Sequence, residues 1–305
     1  MQHAVVTTGL LWLAACGGSA DRSRTPSGAQ LAAQEVGAPR ASGDVATDGL
    51  AWIAYRRQQA GLPVPVRDAA IDRAAAAHSH YQQLNNRVTH QEYAAEAGFT
   101  GTTLTDRLRA AGYAVDTQAR ANDEVIAATA TADGFAAADG LLAAIYHRYI
   151  MLQPQFDRFG AGSAQRAGGY HWLTVNFVAT HKAPRLGNDH VIVWPVPQQA
   201  GVRTNLFTDQ ETPDPVPGID EVGYPVSVHA DSQASVRVVR FTIRERNGTP
   251  LPVRLLAADT DDATPESAAA IIPLAQLRSR ATYDVEFSGT VNGRAVMHRW
   301  SFATR

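Results

Sequence analysis

Tyr146-His147-Arg148-Tyr149-Ile150-Met151-Leu152-Gln153-Pro154-Gln155-Phe156 closes a helical pattern that starts near Asp133. The pattern cannot pass Pro154, because proline lacks an amide hydrogen and its ring clashes with the preceding turn. Just beyond it, Phe159-Gly160-Ala161-Gly162-Ser163 reads as a glycine-rich turn and Tyr170 to Val178 reads as strand. Upstream, Asp68 is a good N-cap for a helix running to about Asn86. Its stripe is Ile71, Ala74, Ala75, His78 and Tyr81, spaced by three and four. An earlier helical pattern opens with Leu50-Ala51-Trp52-Ile53-Ala54-Tyr55 and stops at Gly61-Leu62-Pro63. Another covers Leu104 to Ala111, with Gly112 as its C-terminal cap. Helices followed by short strands predict a layered α/β domain over 49–183.

From Val191 onward the character changes to proline clusters and alternating β-branched and aromatic residues. Val239, Phe241 and Ile243 alternate with polar neighbours before Asn247-Gly248, a two-residue hairpin signal. Val285, Phe287 and Val291 lead to a second such signal, Asn292-Gly293, with Trp300 and Phe302 on the return strand. Leu277 followed by Thr282-Tyr283 resembles the tyrosine corner of immunoglobulin-like and fibronectin-like sandwiches. An all-β sandwich is expected over 189–305.

The chain has 305 residues, 45% hydrophobic and 18% charged, which is enough apolar material to exclude a wholly disordered chain. Net charge is −2 with no basic block, so nucleic acid is excluded as a partner on electrostatic grounds. A single cysteine, Cys16, rules out an intrachain disulfide or a cysteine-based zinc cluster. Ala4 to Ala15 is mostly apolar but too short for the ~20 residues that span a bilayer. It ends in Leu13-Ala14-Ala15-Cys16-Gly17, which reads as an export signal and resembles the bacterial lipobox. That resemblance implies a signal peptide over 1–16, lipidation of Cys16 and a membrane anchor in the cell envelope. The protein would then sit on the periplasmic or outer-membrane side, or outside the cell. Residues 17–48, rich in Gly, Ser, Ala and Pro, are expected to be a disordered tether.

No His-Glu-x-x-His, Gly-x-Ser-x-Gly or phosphate-binding glycine loop is present. The residues able to carry chemistry in the first domain are His78, His80, His90, Glu92, Glu96, Glu124, His147 and His171. His78, on an apolar stripe, reads as a satisfied core histidine, and His80 as solvated. Glu92 and Glu96 read as loop or helix-end residues, Arg148 as a partner of a carboxylate or carbonyl, and Tyr170 and Trp172 as packing. In the second domain His181, His190, His229 and His298 show no ligand spacing. Asp259, Asp261 and Asp262 read as a solvated turn rather than a calcium loop.

The order of several segments is distinctive. Ala77-His78-Ser79-His80 is followed by Val88-Thr89-His90 and Leu108-Arg109-Ala110-Ala111-Gly112-Tyr113. Asn122-Asp123-Glu124-Val125-Ile126-Ala127, the quoted run from Tyr146 and Phe159-Gly160-Ala161-Gly162 come next. This succession, from about Gly49 to Ala179, resembles the bacterial branch of the CAP superfamily, or SCP domain, which includes cysteine-rich secretory, antigen 5 and pathogenesis-related proteins. The resemblance implies an α-β-α sandwich with His90, Glu124 and His147 in one cleft, their side chains ~3–6 Å apart. Asp123 and Val125 replace the family's Gly and Asn around the glutamate, and Tyr146 replaces the Gly before His147. Ala144 stands where animal and plant members carry a second glutamate. His171 precedes a strand similar to the family's His-Tyr-Thr-Gln strand and is a further cleft candidate, with its register open by one residue.

Two imidazoles and a carboxylate can hold a divalent metal such as zinc, or form a hydrogen-bonded cluster without one. The resemblance therefore leaves different functions in play. One is a cleft binding a small ligand, lipid or peptide. Another is a metal-assisted hydrolase of peptide or envelope material with Glu124 as catalytic general base. A third is a structural cell-surface protein. The missing second carboxylate favours binding.

Overall fold

The structure, a computed structural model, describes residues 35–182, 185–187 and 190–305. Cys16, the export segment and the tether as far as residue 34 lie outside the described residues. The tether expected to reach Asp48 gives way sooner to structure. Helix α1 is Val45–Gln59, capped by the Asp44 side chain, which accepts from the Thr47 amide at 2.7 Å. Asp48 is buried and accepts the amides of Ser42 at 2.7 Å and Gly43 at 3.0 Å. Glu35 grips Arg56 at 2.5 and 2.7 Å. Polar composition looked like tether because the partners of these side chains lie on α1 itself.

The N-terminal domain continues through β1 (Val66–Arg67), α2 (Ala69–Asn85), α3 (Leu104–Ala110) and α4 (Val115–Gln118). Then come β2 (Ala119–Thr129), α5 (Gly134–Ala143), α6 (Ile145–Met151), β3 (Arg158–Gln165) and β4 (His171–Thr180). Asp68 caps α2 as expected, and Asn86 ends it in the left-handed conformation at φ 49°. The sheet order is β1-β3-β4-β2, with β1 parallel to β3 and the other pairs antiparallel.

Strand β4 is buried on both faces, which is why its sequence is nearly continuous in apolar residues. Leu173, Val175, Phe177 and Ala179 join Trp52, Ile53, Phe135 and Leu142 beneath α1 and α5. On the other face Val178 packs with Ile71 of α2, and Thr174 accepts from Ser79 at 2.9 Å. Helices cover both faces, so the predicted α-β-α sandwich is the observed one.

Two local expectations change. Gly160 and Gly162 lie inside β3 rather than in a turn. A Cβ there would come within 2.4 Å of the Asp72 amide or 2.0 Å of the Ala76 amide, so glycine lets α2 sit directly on the strand. The single helix expected from Asp133 to Met151 is broken at Ala144, whose ψ of 122° is extended. Neither proline nor glycine stands there; the cause lies in the other domain.

The C-terminal domain contains β5 (Ile192–Trp194), β6 (Asn205–Phe207), β7 (Glu221–Gly223), β8 (Val226–His229) and β9 (Val236–Glu245). It ends with β10 (Val253–Ala257), β11 (Ala268–Pro273), β12 (Thr282–Val291) and β13 (Arg294–Ala303). Sheets of order β10-β11-β8-β5 and β13-β12-β9 share one core, with Val226, Val228 and Ile271 meeting Phe241, Val285 and Phe287. Set in chain order, this is the ABED and CFG arrangement of a constant-type immunoglobulin sandwich, with the β6-β7 hairpin inserted between the first two strands. The tyrosine corner is present: Tyr283 accepts from the Arg278 amide at 2.8 Å beside buried Leu277.

Asn292-Gly293 forms the expected hairpin turn, with φ of 51° and 79°. Asn247-Gly248 turns the chain back on itself with a single antiparallel bridge, Arg244 to Pro250, and the Leu251 amide donating to the Ile243 carbonyl at 2.9 Å, but β9 and β10 do not pair further. The chain turns there and crosses to the opposite sheet, where β10 pairs with β11. Val239 departs from the alternation and is exposed, because the β9–β12 register shifts at Ser288/Gly289.

Candidate functional site

Glu124 sits in the middle of β2, an edge strand, opposite Asn176 of β4 and on the sheet face that meets α2. Helix α3 packs against β2, and so does α6. His90, in the loop after α2, brings Nδ1 to 2.9 Å from Glu124 Oε1. Arg107 of α3 donates from Nη2 to Glu124 Oε2 at 2.8 Å and from Nη1 to the His90 carbonyl at 2.9 Å. His78 lies 3.8 Å from Glu124 through Nε2.

His78 is a core histidine, as its stripe position implied, and it also extends the cluster. Its Nε2 is 2.7 Å from the Thr89 carbonyl and its Nδ1 2.8 Å from Glu92 Oε1. A carbonyl only accepts, and Glu92 already receives the amides of Thr100 at 2.5 Å and Gly101 at 3.2 Å. Both ring nitrogens therefore donate, and the ring is positively charged. Burial opposes the charge on Glu92, yet hydrogen bonds from His78 and Thr100 and the charges of His78 and Arg107 hold its carboxyl below the usual range. Expected in a surface loop or helix end, Glu92 is fully buried. The buried cations His78 and Arg107 thus face the buried carboxylates Glu92 and Glu124, which satisfies the rule that buried charges are paired.

Glu124 shows the same balance more strongly. Desolvation would raise its pKa, but Arg107, His78 and His90 together hold the carboxyl down at about 2. Neighbouring Asp123 goes the other way: desolvation lifts it to about 6 against the Glu124 amide that it accepts. His90 is the one imidazole of this cluster open to solvent, with its side chain 21% exposed.

The expected convergence holds for His90 and Glu124. His147, on α6, turns elsewhere, with Nδ1 at 3.4 Å from Oε1 of Glu211 in the C-terminal domain. Glu211 also accepts the amides of Ile145 and Tyr146, both at 2.9 Å, and these bonds begin α6 anew after Ala144. The residues around His147 are anchored in the same domain. Tyr146 donates to Asp261 at 3.1 Å, Tyr149 lies 3.3 Å from the Thr264 hydroxyl, and Arg148 donates to the Pro225 carbonyl at 2.7 Å. Asp261 of the acidic loop is thus an interdomain contact.

His171 is not brought to Glu124. It starts β4, opposite Thr129, and is in phase with Leu173, Val175 and Phe177, whose side chains occupy the far face of the sheet. His80 is exposed and bonds Gln83, and Glu96 pairs with Arg87 at 2.7 Å and accepts from Tyr81. Trp172 is a packing residue whose Nε1 donates to the Arg87 carbonyl at 3.0 Å.

A metal does not fit these donors. Glu124 Oε1 and Oε2 are engaged by His90 and Arg107, and His147 turns to Glu211. Among the described residues no group of three or more His, Cys, Asp or Glu side chains is placed to hold a metal ion. Sequence reasoning missed Arg107, Glu92 as a buried partner, and Glu211. Arg107 did leave a signal, since Leu104, Arg107, Leu108 and Ala111 form an i, i+3, i+4, i+7 stripe containing a cation. Glu211 left none.

Comparison with solved structures finds an extracellular protein containing an SCP domain from Bacillus anthracis at 24% identity, covering 46% of this chain and 44% of that one, with a TM-score of 0.38. This chain therefore spans less than half of that protein. An outer surface protein from Borrelia burgdorferi matches at 16% identity over 43% of this chain and 89% of that one, with a TM-score of 0.36. No curated protein matches. The sequence profile of the family described as the cysteine-rich secretory protein family, CAP, matches residues 50–177. That span runs from α1 through β4 and contains His90, Glu124 and His147. Residues 50–177 of this chain are a CAP domain.

Proposed function

We propose that this protein is a cell-envelope CAP-domain protein whose cleft, around His90 and His147 beside β2, binds a small ligand, lipid or peptide and does not hydrolyse it. The observation that carries this reading is the state of Glu124. A general base works best with a pKa near the operating pH. Glu124 is held at about 2, with its carboxylate engaged by Arg107 and His90, so it is a weak proton acceptor at neutral pH. Its role is to orient His90, whose partly exposed ring is the group offered to a ligand. The poor fit of the donors to a metal removes support from the metal-assisted alternative. Envelope attachment rests on Leu13-Ala14-Ala15-Cys16, with Cys16 as the lipidated residue.

The test is a thermal-shift panel of lipids, peptides and saccharides on the mature protein, with peptide and ester turnover assayed in parallel. A ligand should stabilise wild type and lose its effect in His90→Ala, with no turnover at any divalent metal concentration. A turnover that Glu124→Gln abolishes would reverse the reading. Mass spectrometry of the mature N-terminus tests the anchor: an unmodified chain retaining Met1 would refute it, and Cys16→Ser should release the protein from membranes.

A further inference from the structure

Glu211 follows the short turn after β6 in the C-terminal domain, yet its side chain is 1% exposed and bonds only the N-terminal domain. Residues 146 to 149 are each tied to the C-terminal domain, so the His147 ring is clamped from both sides in sequence. We infer that Glu211 is a positioning residue for the cleft: it fixes the proton of His147 on Nδ1 and leaves Nε2 as an acceptor for a hydroxyl or amide donor of the ligand. The C-terminal sandwich is then part of the binding site rather than a spacer.

A carboxylate that already accepts two backbone amides cannot donate, so the proton between Glu211 and His147 belongs to Nδ1. A neutral imidazole has a single N–H, and Nε2 becomes the acceptor. Nε2 has no hydrogen-bond partner among the described residues, and His147 keeps 8% of its surface exposed. At 3.4 Å the contact is long for a hydrogen bond, so the carboxylate acts as a fixed charge that selects the tautomer more than as a strong bond. An acceptor at Nε2 favours a ligand with O–H or N–H groups over a carboxylate or phosphate.

The ligand class rests on the proposed binding function; the tautomer does not. The experiment is a long-range proton–nitrogen correlation of the imidazole rings in the full mature protein, at a pH where the rings are neutral. His147→Gln assigns the signal, and Glu211→Ala and Glu211→Gln are the comparisons. The expected result is Nδ1–H in wild type and a shift of about fivefold toward Nε2–H in Glu211→Ala, the equivalent of ~1 kcal/mol for one hydrogen bond. Should Glu211→Ala fail to fold, the wild-type tautomer still decides, because Nε2–H there is incompatible with a carboxylate that fixes the proton on Nδ1. Nε2–H in wild type, or a ratio indifferent to Glu211, would overturn the inference. The expected tautomer with no ligand found would count against the binding function alone.

Discussion

Glu124 and Glu211 each hold a histidine of the CAP domain, and they do so under opposite constraints. Glu124 works inside one domain, where His90, Arg107 and His78 surround it and hold its carboxyl at about 2. Glu211 crosses a domain boundary and is met by backbone amides and by His147. Glu124 is stabilised by countercharge, Glu211 by hydrogen-bond donors at the start of α6. Two departures noted in the sequence, Tyr146 and Ala144, lie at this domain boundary. Tyr146, in place of glycine, packs in a cluster with Leu206, Val216 and Val222 of the C-terminal domain and bonds Asp261. The missing intradomain carboxylate at Ala144 coincides with a carboxylate reaching α6 from the other domain.

The sharpest way to break the contrast is Arg107→Met. It removes a fully buried cation between Glu92 and Glu124, and breaking such a pair costs about 3–5 kcal/mol. Urea unfolding at pH 7 measures it; a loss under 1 kcal/mol would mean that countercharge does not hold Glu124.

Glu124→Gln tests the same idea through pH. Its folded-state pKa is lowered from 4.5 to about 2, so its stabilisation is complete above pH 4.5 and disappears as pH falls toward 2. The variant should be less stable by ~3 kcal/mol at pH 7 and approach wild type near pH 2. A pH-independent difference would assign the effect to packing.

Glu211→Ala should cost ~2 kcal/mol, since it leaves buried amide donors without an acceptor. Hydrogen exchange should localise the loss to α6 and the β6-β7 hairpin. Loss confined to the β2 edge would contradict the assignment of Glu211 to the start of α6.

The smallest effect has the opposite sign. Asp123 is raised from 3.8 to about 6, so its ionised form is disfavoured in the fold and the penalty grows as pH rises from 3.8 through 6. Asp123→Asn should stabilise by ~1 kcal/mol at pH 7 and by nothing below pH 3.8. Thermal unfolding at pH 3.5 and pH 7 resolves it.

The α-β-α order came from the family resemblance, while local patterns in the sequence were sufficient for a layered α/β domain, the Asp68 cap, the Asn292-Gly293 turn and the tyrosine corner at Tyr283. Each depends on neighbours within a few residues or on a repeated period, and both are written along the chain. The ordered succession of motifs likewise named His90 and Glu124, which do meet. Tertiary structure alone decided the rest. Gly160 and Gly162 looked like a turn because the close approach of α2 is a contact between distant segments. His171 fell on the far face through a strand phase set by pairing with β2. The helix break at Ala144 and the orientation of His147 depend on Glu211, a partner 64 residues away in another domain. A buried carboxylate takes whatever donors the fold brings to it, and no spacing in the chain records which those will be.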